Sequence, residues 1–384
     1  MEKETEITAI HYETGKPVRL GIVGGVIGEI EETGIAGDTG SLIVAPGFID
    51  NQINGYKGVD FSDDVLSTEK MLKAVENIQK DGVTSFQPTV ITNSHENLIR
   101  NFRNLARTME YKEISDSVPG FHLEGPYISR EEGFYGCHPM EHIRRPSWDE
   151  FLEYQEAADG NIRQVTLAPE EEGAIDFILN CVRNNIIVAI GHTNASAEQI
   201  ERAVDSGATI STHLGNGCAN LIHRHNNPLW PQLSNDLLSP SIIADGHHLL
   251  PEEIRVFYRI KGPASIFLTS DVTTLIGLTP GKYMFMGSEI VLTDDGVIRN
   301  PVLNCLAGAS FPIRRGIENM MAFTGCSLAE SINLASGNVA RICKINDRGF
   351  LGPGKRADLV LFEFEGNSIH IKKTIVNGRV VYSK

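Results

Sequence analysis

Eight short apolar runs along the middle of the chain restrict its fold more than any other feature. They are Phe48–Asp50, Val83–Gln87, Phe121–Glu124, Val165–Ala168, Ile186–Ile190, Thr209–His213, Ser241–Ala244 and Ile266–Asp271. Each is strand-sized, and helical patterns lie between most of them. "STEKMLKAVENIQKDG" has a Ser/Thr start, apolar residues at helical spacing and a glycine stop, and "NASAEQIERAVDSG" repeats that grammar. Eightfold alternation of strand and helix predicts an α/β fold, a (β/α)8 TIM barrel. An open doubly wound sheet is the alternative.

The flanks read differently. "VRLGIVGGVIGEIEE" alternates apolar residues with glycines, as a hairpin does. "ADLVLFEFEGNSIHIKKTIVNGRVVYSK" holds an apolar run and turns at Glu365-Gly366-Asn367 and Asn377-Gly378. Two β-rich flanks predict one small β-domain built from both termini, residues 1–46 plus 340–384, around a barrel of residues 47–339.

A formal net charge of −15 lacks the basic footprint of a nucleic-acid binder, so no nucleic-acid partner is expected. It leaves room for an anionic small molecule held by one local cation. No segment reaches the roughly 18 to 20 apolar residues that span a bilayer, and "MEKETEITAI" lacks the basic and apolar regions of a signal peptide. The six cysteines are scattered without a C-x-x-C pair, which fits reduced, mostly buried thiols. The expectation is a cytoplasmic protein without a membrane partner. Cys137 and Cys218 lie near site candidates but read as small apolar packing.

A barrel enzyme works at the C-terminal ends of its strands. There, or just beyond, this sequence places Glu124, His192, His213, His248 and Asp271. Taken singly, each is an ordinary loop residue making a hydrogen bond. At successive strand ends they form a constellation. One carboxylate and two neutral imidazoles, Glu124, His192 and His213, make an open site for one divalent metal ion. Zinc is the first expectation, with iron, cobalt and manganese equally compatible with the donors. Asp271 is suited to take a proton from water and pass it to a leaving amine, or to cap the following helix. His248 is suited to donate to a carbonyl oxygen, and Asp245 to fix its loop. The loop 215–230, "GNGCANLIHRHNNPLW", is rich in Gly and Asn and carries Arg224, which suits an anionic or hydroxyl-rich ligand.

These motifs resemble those of the N-acetylglucosamine-6-phosphate deacetylases, a family of the amidohydrolase superfamily. "APGFIDNQINGYKGVDF", "FHLEGPYIS", "TLAPE", "IGHTNAS", "STHLGNG", "IIADGHH", "LAGAS" and "GPGKRADLVLF" are similar to that family's signatures and follow its order. The resemblance implies hydrolysis of the acetamide of an amino-sugar phosphate, with Glu124, His192 and His213 as metal ligands and Asp271 as the general acid and base. It implies that His248 polarises the acetyl carbonyl, that His138 in "YGCHP" contacts the sugar, and that Asn216 and the Gly217 amide do likewise. Arg224 stands eleven residues past His213, the family's place for a phosphate-binding arginine. Gln52 and Asn54 occupy the positions of a His-x-His pair and are similar to the branch that uses one metal. The expected assembly is a homodimer. Gly215 and Cys218 stand where the family usually has bulkier residues, and "RHNNPLW" departs from its usual stretch.

Three rival readings follow. One is the same chemistry on an unphosphorylated or different N-acyl compound. Another is a non-catalytic scaffold, which would have no use for Asp271 beside three ligands. The third is a two-metal cyclic amidase, which Gln52 and Asn54 disfavour.

Overall fold

A computed structural model describes residues 5–34, 41–285 and 287–384. Its centre is an eight-stranded parallel sheet in the order of the chain: Phe48–Ile53, Val83–Ile91, Phe121–Glu124, Ile162–Leu167, Ile187–Ile190, Ile210–Ser211, Ser239–Ile242 and Phe267–Leu268. All eight apolar runs therefore become neighbouring strands of one TIM barrel. The barrel closes between its first and last strands by individual bonds rather than a full ladder. Asp271 N donates to Gln52 O (3.1 Å) and Asn54 N to Val272 O (2.9 Å). Below them the buried Asp50 carboxylate accepts from Thr269 Oγ1 (3.0 Å) and Ser270 N (3.1 Å). This seam makes alternate residues of the first strand neighbours of Asp271.

The helices form where their grammar places them. Thr68–Lys80 starts at Ser67, whose hydroxyl accepts from Lys70 N, and it buries Met71, Ala74, Val75 and Ile78 against the sheet. Ala197–Asp205 starts in a capping box made by Ser196 and Gln199.

Strands from both flanks share one seven-stranded sheet, in which Leu42–Pro46 pairs with Thr5–His11 on one side and Leu359–Glu365 on the other. Ile7, Val18, Leu20, Val44, Leu359 and Ile375 give it a core separate from the barrel's, the small β-sandwich domain. Both expected C-terminal turns are present, between Leu359–Glu365 and Ser368–Val376 and between Ser368–Val376 and Arg379–Ser383. Residues 1–4 and 35–40 of the expected small domain lie outside the described residues. The segment Gly337–Ile342 is helical, and with Cys343 it packs Val339 and Ala340 against Ile49, Ile187, Ala189, Ile210 and Phe267 at the base of the barrel.

One layer has no counterpart among the expected elements. After the eighth barrel strand, Gly281–Phe285, Ser288–Leu292, Ile298–Asn300 and Cys305–Leu306 form a four-stranded antiparallel sheet. It has a small core of its own around Leu275, Ile290, Leu292, Ile298 and Ala307, and Phe285 and Leu306 face the barrel's central cavity. No helix among the described residues is long and apolar enough to cross a membrane.

Candidate active site

At the C-terminal end of the barrel is a cavity of about 430 Å³. Glu124 ends the third strand, while His192 and His213 each sit two residues past the fifth and sixth. Parallel strands bring these positions to one level. Glu124 Oε1 lies 2.9 Å from His213 Nε2 and 3.5 Å from His192 Nε2, with all three residues buried. His192 Nδ1 is 3.0 Å from the Phe134 carbonyl, which can only accept, so Nδ1 carries the proton and Nε2 offers its lone pair to the cluster.

Burial alone would raise the Glu124 carboxyl, but the neighbouring His192 and His213 outweigh it and hold the group well below the usual carboxylate range. Burial likewise works against the His213 imidazolium, and the Glu124 hydrogen bond and charge outweigh it to raise His213. A cation would take the place of that shared proton. Three buried donors of zinc-like type, one with its tautomer fixed, fit a divalent ion.

Gln52 and Asn54 turn amide nitrogens, not lone pairs, toward this cluster. Gln52 Nε2 donates to Glu124 Oε1 and to Asp271 Oδ1, each at 3.0 Å. Asn54 Nδ2 donates to the same Asp271 oxygen at 2.7 Å. The pair orients two carboxylates where a His-x-His pair would bind an ion. Asp271 is held above the ordinary carboxyl range, first by burial and then by the charge of Glu124. Its backbone has φ +50°, and His192 and His213 have φ +51° and +29°. Three of the residues aimed at the cavity thus occupy the sparse left-handed region, a strain that functional sites commonly store.

His248 also lines the cavity. Its Nδ1 is 2.8 Å from Asp245 Oδ2, and the other Asp245 oxygen accepts from the backbone of His247 and His248. With Asp245 on Nδ1, the Nε2 side is left for a ligand. His138 Nδ1 bonds Thr92 Oγ1 at 2.7 Å, and its Nε2 is 4.0 Å from Glu124 Oε2. Burial and the neighbouring His192 push its pKa down to about 3, so this imidazole is neutral. It sits closer to the carboxylate cluster than a sugar contact alone requires.

Asn216 and Gly217 line the same wall, with Asn216 Nδ2 bonded to His213 O at 3.2 Å. A Cβ added to Gly217 would sit 2.9 Å from the His192 ring, and one added to Gly136 would sit 3.1 Å from it, so the ring lies directly against two glycine backbones. Arg224 is placed differently. It is exposed and does not line the cavity, although Ile222 and Leu229 on either side of it do. Among the described residues the lining contains no lysine or arginine.

Thr92, Phe134 and the hydrogen bonds from Gln52 to both carboxylates were not foreseen in the sequence. Only Thr92 left a sequence signal, as a polar residue just past an apolar strand.

The comparisons agree with this geometry. The amidohydrolase family model matches residues 43–381. The N-acetylglucosamine-6-phosphate deacetylase of Bacillus subtilis is 31% identical over 344 residues, covering 88% of this chain and 85% of the relative. The N-acetylgalactosamine-6-phosphate deacetylase of Escherichia coli O157:H7 is 30% identical and covers 94% of each. A solved mutant of the Mycobacterium smegmatis N-acetyl-D-glucosamine-6-phosphate deacetylase, in complex with N-acetyl-D-glucosamine-6-phosphate, superposes with a TM-score of 0.89 at 26% identity, over 99% of this chain and 100% of that one. A barrel of this closure, a metal-type donor triad at its mouth and relatedness over nearly the whole length place the chain in the N-acetylglucosamine-6-phosphate deacetylase family of the amidohydrolases.

Proposed function

We propose that this chain hydrolyses the N-acetyl group of an amino-sugar 6-phosphate, N-acetylglucosamine 6-phosphate in the first instance, to the free amine and acetate. The observation that carries this reading is the convergence of Glu124, His192 and His213 with Asp271 and His248 on one cavity. One divalent ion per chain, zinc as first choice, would be held by Glu124, His192 and His213. When bound, it supplies Lewis acidity at the scissile amide and acidifies water. Asp271 takes the proton of the attacking water and returns it to the departing nitrogen. Gln52 and Asn54 hold its carboxylate in place throughout. His248, with Asp245 on Nδ1, donates from Nε2 to the acyl oxygen as charge develops there. His138, Asn216 and the Gly217 amide contact the sugar.

Arg224 is the proposed phosphate contact. Its support is its spacing from His213 and its place between two residues of the cavity wall. We infer likewise a division into 1–46 plus 340–384 and 47–339, supported by the strands of the seven-stranded sheet lying at both flanks. A cytoplasmic homodimer belongs to the same reading. Support for the dimer comes from exposed apolar residues at Leu221, Trp230, Leu237, Val256 and Ile260.

Two observations favour a second substrate. The Escherichia coli relative is named for N-acetylgalactosamine 6-phosphate, and the cavity lining holds no cation among the described residues. The test is amine release by metal-loaded protein, with the metal counted, from both acetylated sugar phosphates and from N-acetylglucosamine. We expect one ion per chain and a preference for N-acetylglucosamine 6-phosphate. Arg224→Ala should raise KM for it about tenfold or more, the loss of a charge-assisted contact, and leave KM for the unphosphorylated sugar alone. Preference for the unphosphorylated sugar, with both KM values moving together, would overturn the phosphate assignment. Two tightly held ions would overturn the one-metal reading.

A further inference from the structure

Two thiols that are far apart in sequence meet at the wall of the cavity. Cys137 lies in the long segment that follows the third barrel strand, directly before His138. Cys305 lies in the last strand of the four-stranded layer, directly before the cavity-lining residues Leu306, Ala307 and Gly308. Their sulfurs are 2.9 Å apart across 168 residues of chain, and Cys137 Sγ also donates to Leu306 O at 3.5 Å. Cys137 packs against the small core of the layer, the cluster of Leu275, Ile290, Leu292, Ile298 and Ala307. Both cysteines line the cavity and neither is fully buried, so a small oxidant that reaches the cavity reaches them. Cys181 and Cys343, in contrast, are buried in the barrel's cores.

We propose that Cys137 and Cys305 form a reversible dithiol–disulfide pair that staples two walls of the catalytic cavity to each other. A disulfide needs its sulfurs at about 2.0 Å, so the observed pair has about 1 Å to close. The contact between the two sulfurs holds the Cys305 thiol below its ordinary value and pushes Cys137 up. Cys305 is therefore the sulfur that attacks an oxidant. With hydrogen peroxide as the two-electron oxidant, the Cys305 thiolate takes one oxygen to become a sulfenic acid and releases hydroxide. The Cys137 thiol then displaces the sulfenic hydroxyl as water, forming the S–S bond. A thiol reductant or a phosphine reverses it.

The bond would fix the His138 segment against the segment that leads to Ala309, whose backbone N donates to Asp271 O at 3.0 Å. Passage of a sugar that requires these walls to part would slow in the oxidised form. The effect on turnover rests on the deacetylase reading; the crosslink itself does not.

The experiment treats the metal-loaded full-length protein with hydrogen peroxide and maps its peptides without reduction. The expected result is a peptide joining Cys137 to Cys305 and an intact mass lower by two hydrogens. Neither Cys137→Ala nor Cys305→Ala should give that peptide. Deacetylase kcat/KM should fall about tenfold or more and recover with phosphine, while the double variant C137A/C305A keeps its own rate through the same treatment. Wild type whose Cys305 proceeds to sulfinic acid with no linked peptide would overturn the pair. A linked peptide with unchanged kcat/KM would overturn the stapling of the cavity. The wild-type mass measurement needs no variant to fold, and it separates failure of the pair from failure of the proposed activity.

Discussion

At the base of the barrel, Ile49, Ile187, Ala189, Ile210 and Phe267 close on Val339 and Ala340 of the Gly337–Ile342 helix, with no charged side chain in the cluster. A few residues further along the same strands, Gln52, His192, His213 and Asp271 crowd donors and acceptors around one buried carboxylate, three of them at left-handed backbone angles. One set of strands therefore ends in ordinary packing at one side and in stored strain at the other. Because the two lie at opposite ends of rigid strands, the barrel can hold an unfavourable arrangement at its mouth by means of a favourable one at its base.

The largest test of that separation is at the mouth. Asp271→Asn keeps the shape and the amide contacts but removes the proton carrier. It should lower kcat by about 10³-fold or more with the fold and metal content intact. A variant with near-normal kcat, measured alongside metal content, would return Asp271 to a structural role.

The converse test is at the base. Phe267→Ala should cost about 3–5 kcal/mol in unfolding free energy, as large cavities in packed cores do. The kcat of the molecules that remain folded should stay within about twofold. Denaturant unfolding and active-site-normalised turnover measure the two quantities, and a parallel fall in both would mean that the ends are not independent.

The smallest test lies between the ends, at Asp50. Burial pushes its pKa up to about 6. The folded state then binds a proton more tightly than the unfolded state, so this group's contribution to stability declines as pH rises from about 4 to 6 and stays low above that. Asp50→Asn can still accept from Thr269 and Ser270 without carrying the charge. Relative to wild type it should gain at most about 3 kcal/mol above pH 6 and nothing near pH 4. Equal pH profiles for the two proteins would show that Asp50 is ionised without cost.

The sequence made the packed parts of this molecule readable and left the relational parts hidden. Apolar runs such as Ile186–Ile190 announce strands because burial on both faces demands them. Glu124, His192 and Asp271 were legible because a polar residue at the end of such a run has few bland explanations once it recurs. The four-stranded layer escaped because its strands are short and Lys282 and Glu289 interrupt any apolar pattern. The bond from Gln52 to Asp271 depends on the seam between the first and last strands, more than two hundred residues apart in sequence. Arg224 is exposed and outside the cavity lining, and its spacing from His213 along a loop carries no direction by itself. The meeting of Cys137 and Cys305 left no pattern at all.

The contact of the His192 ring with Gly136 and Gly217 bears on redesign of the cavity. Both positions line the pocket, and a survey for sites to enlarge or decorate would choose them first. Yet any side chain at either place would grow into the imidazole rather than toward the substrate, and both backbones have positive φ. Substitution there would displace the His192 imidazole before it changed selectivity. Variation aimed at a new sugar has more freedom at Cys218, Leu306 and Phe285, whose side chains already face the cavity.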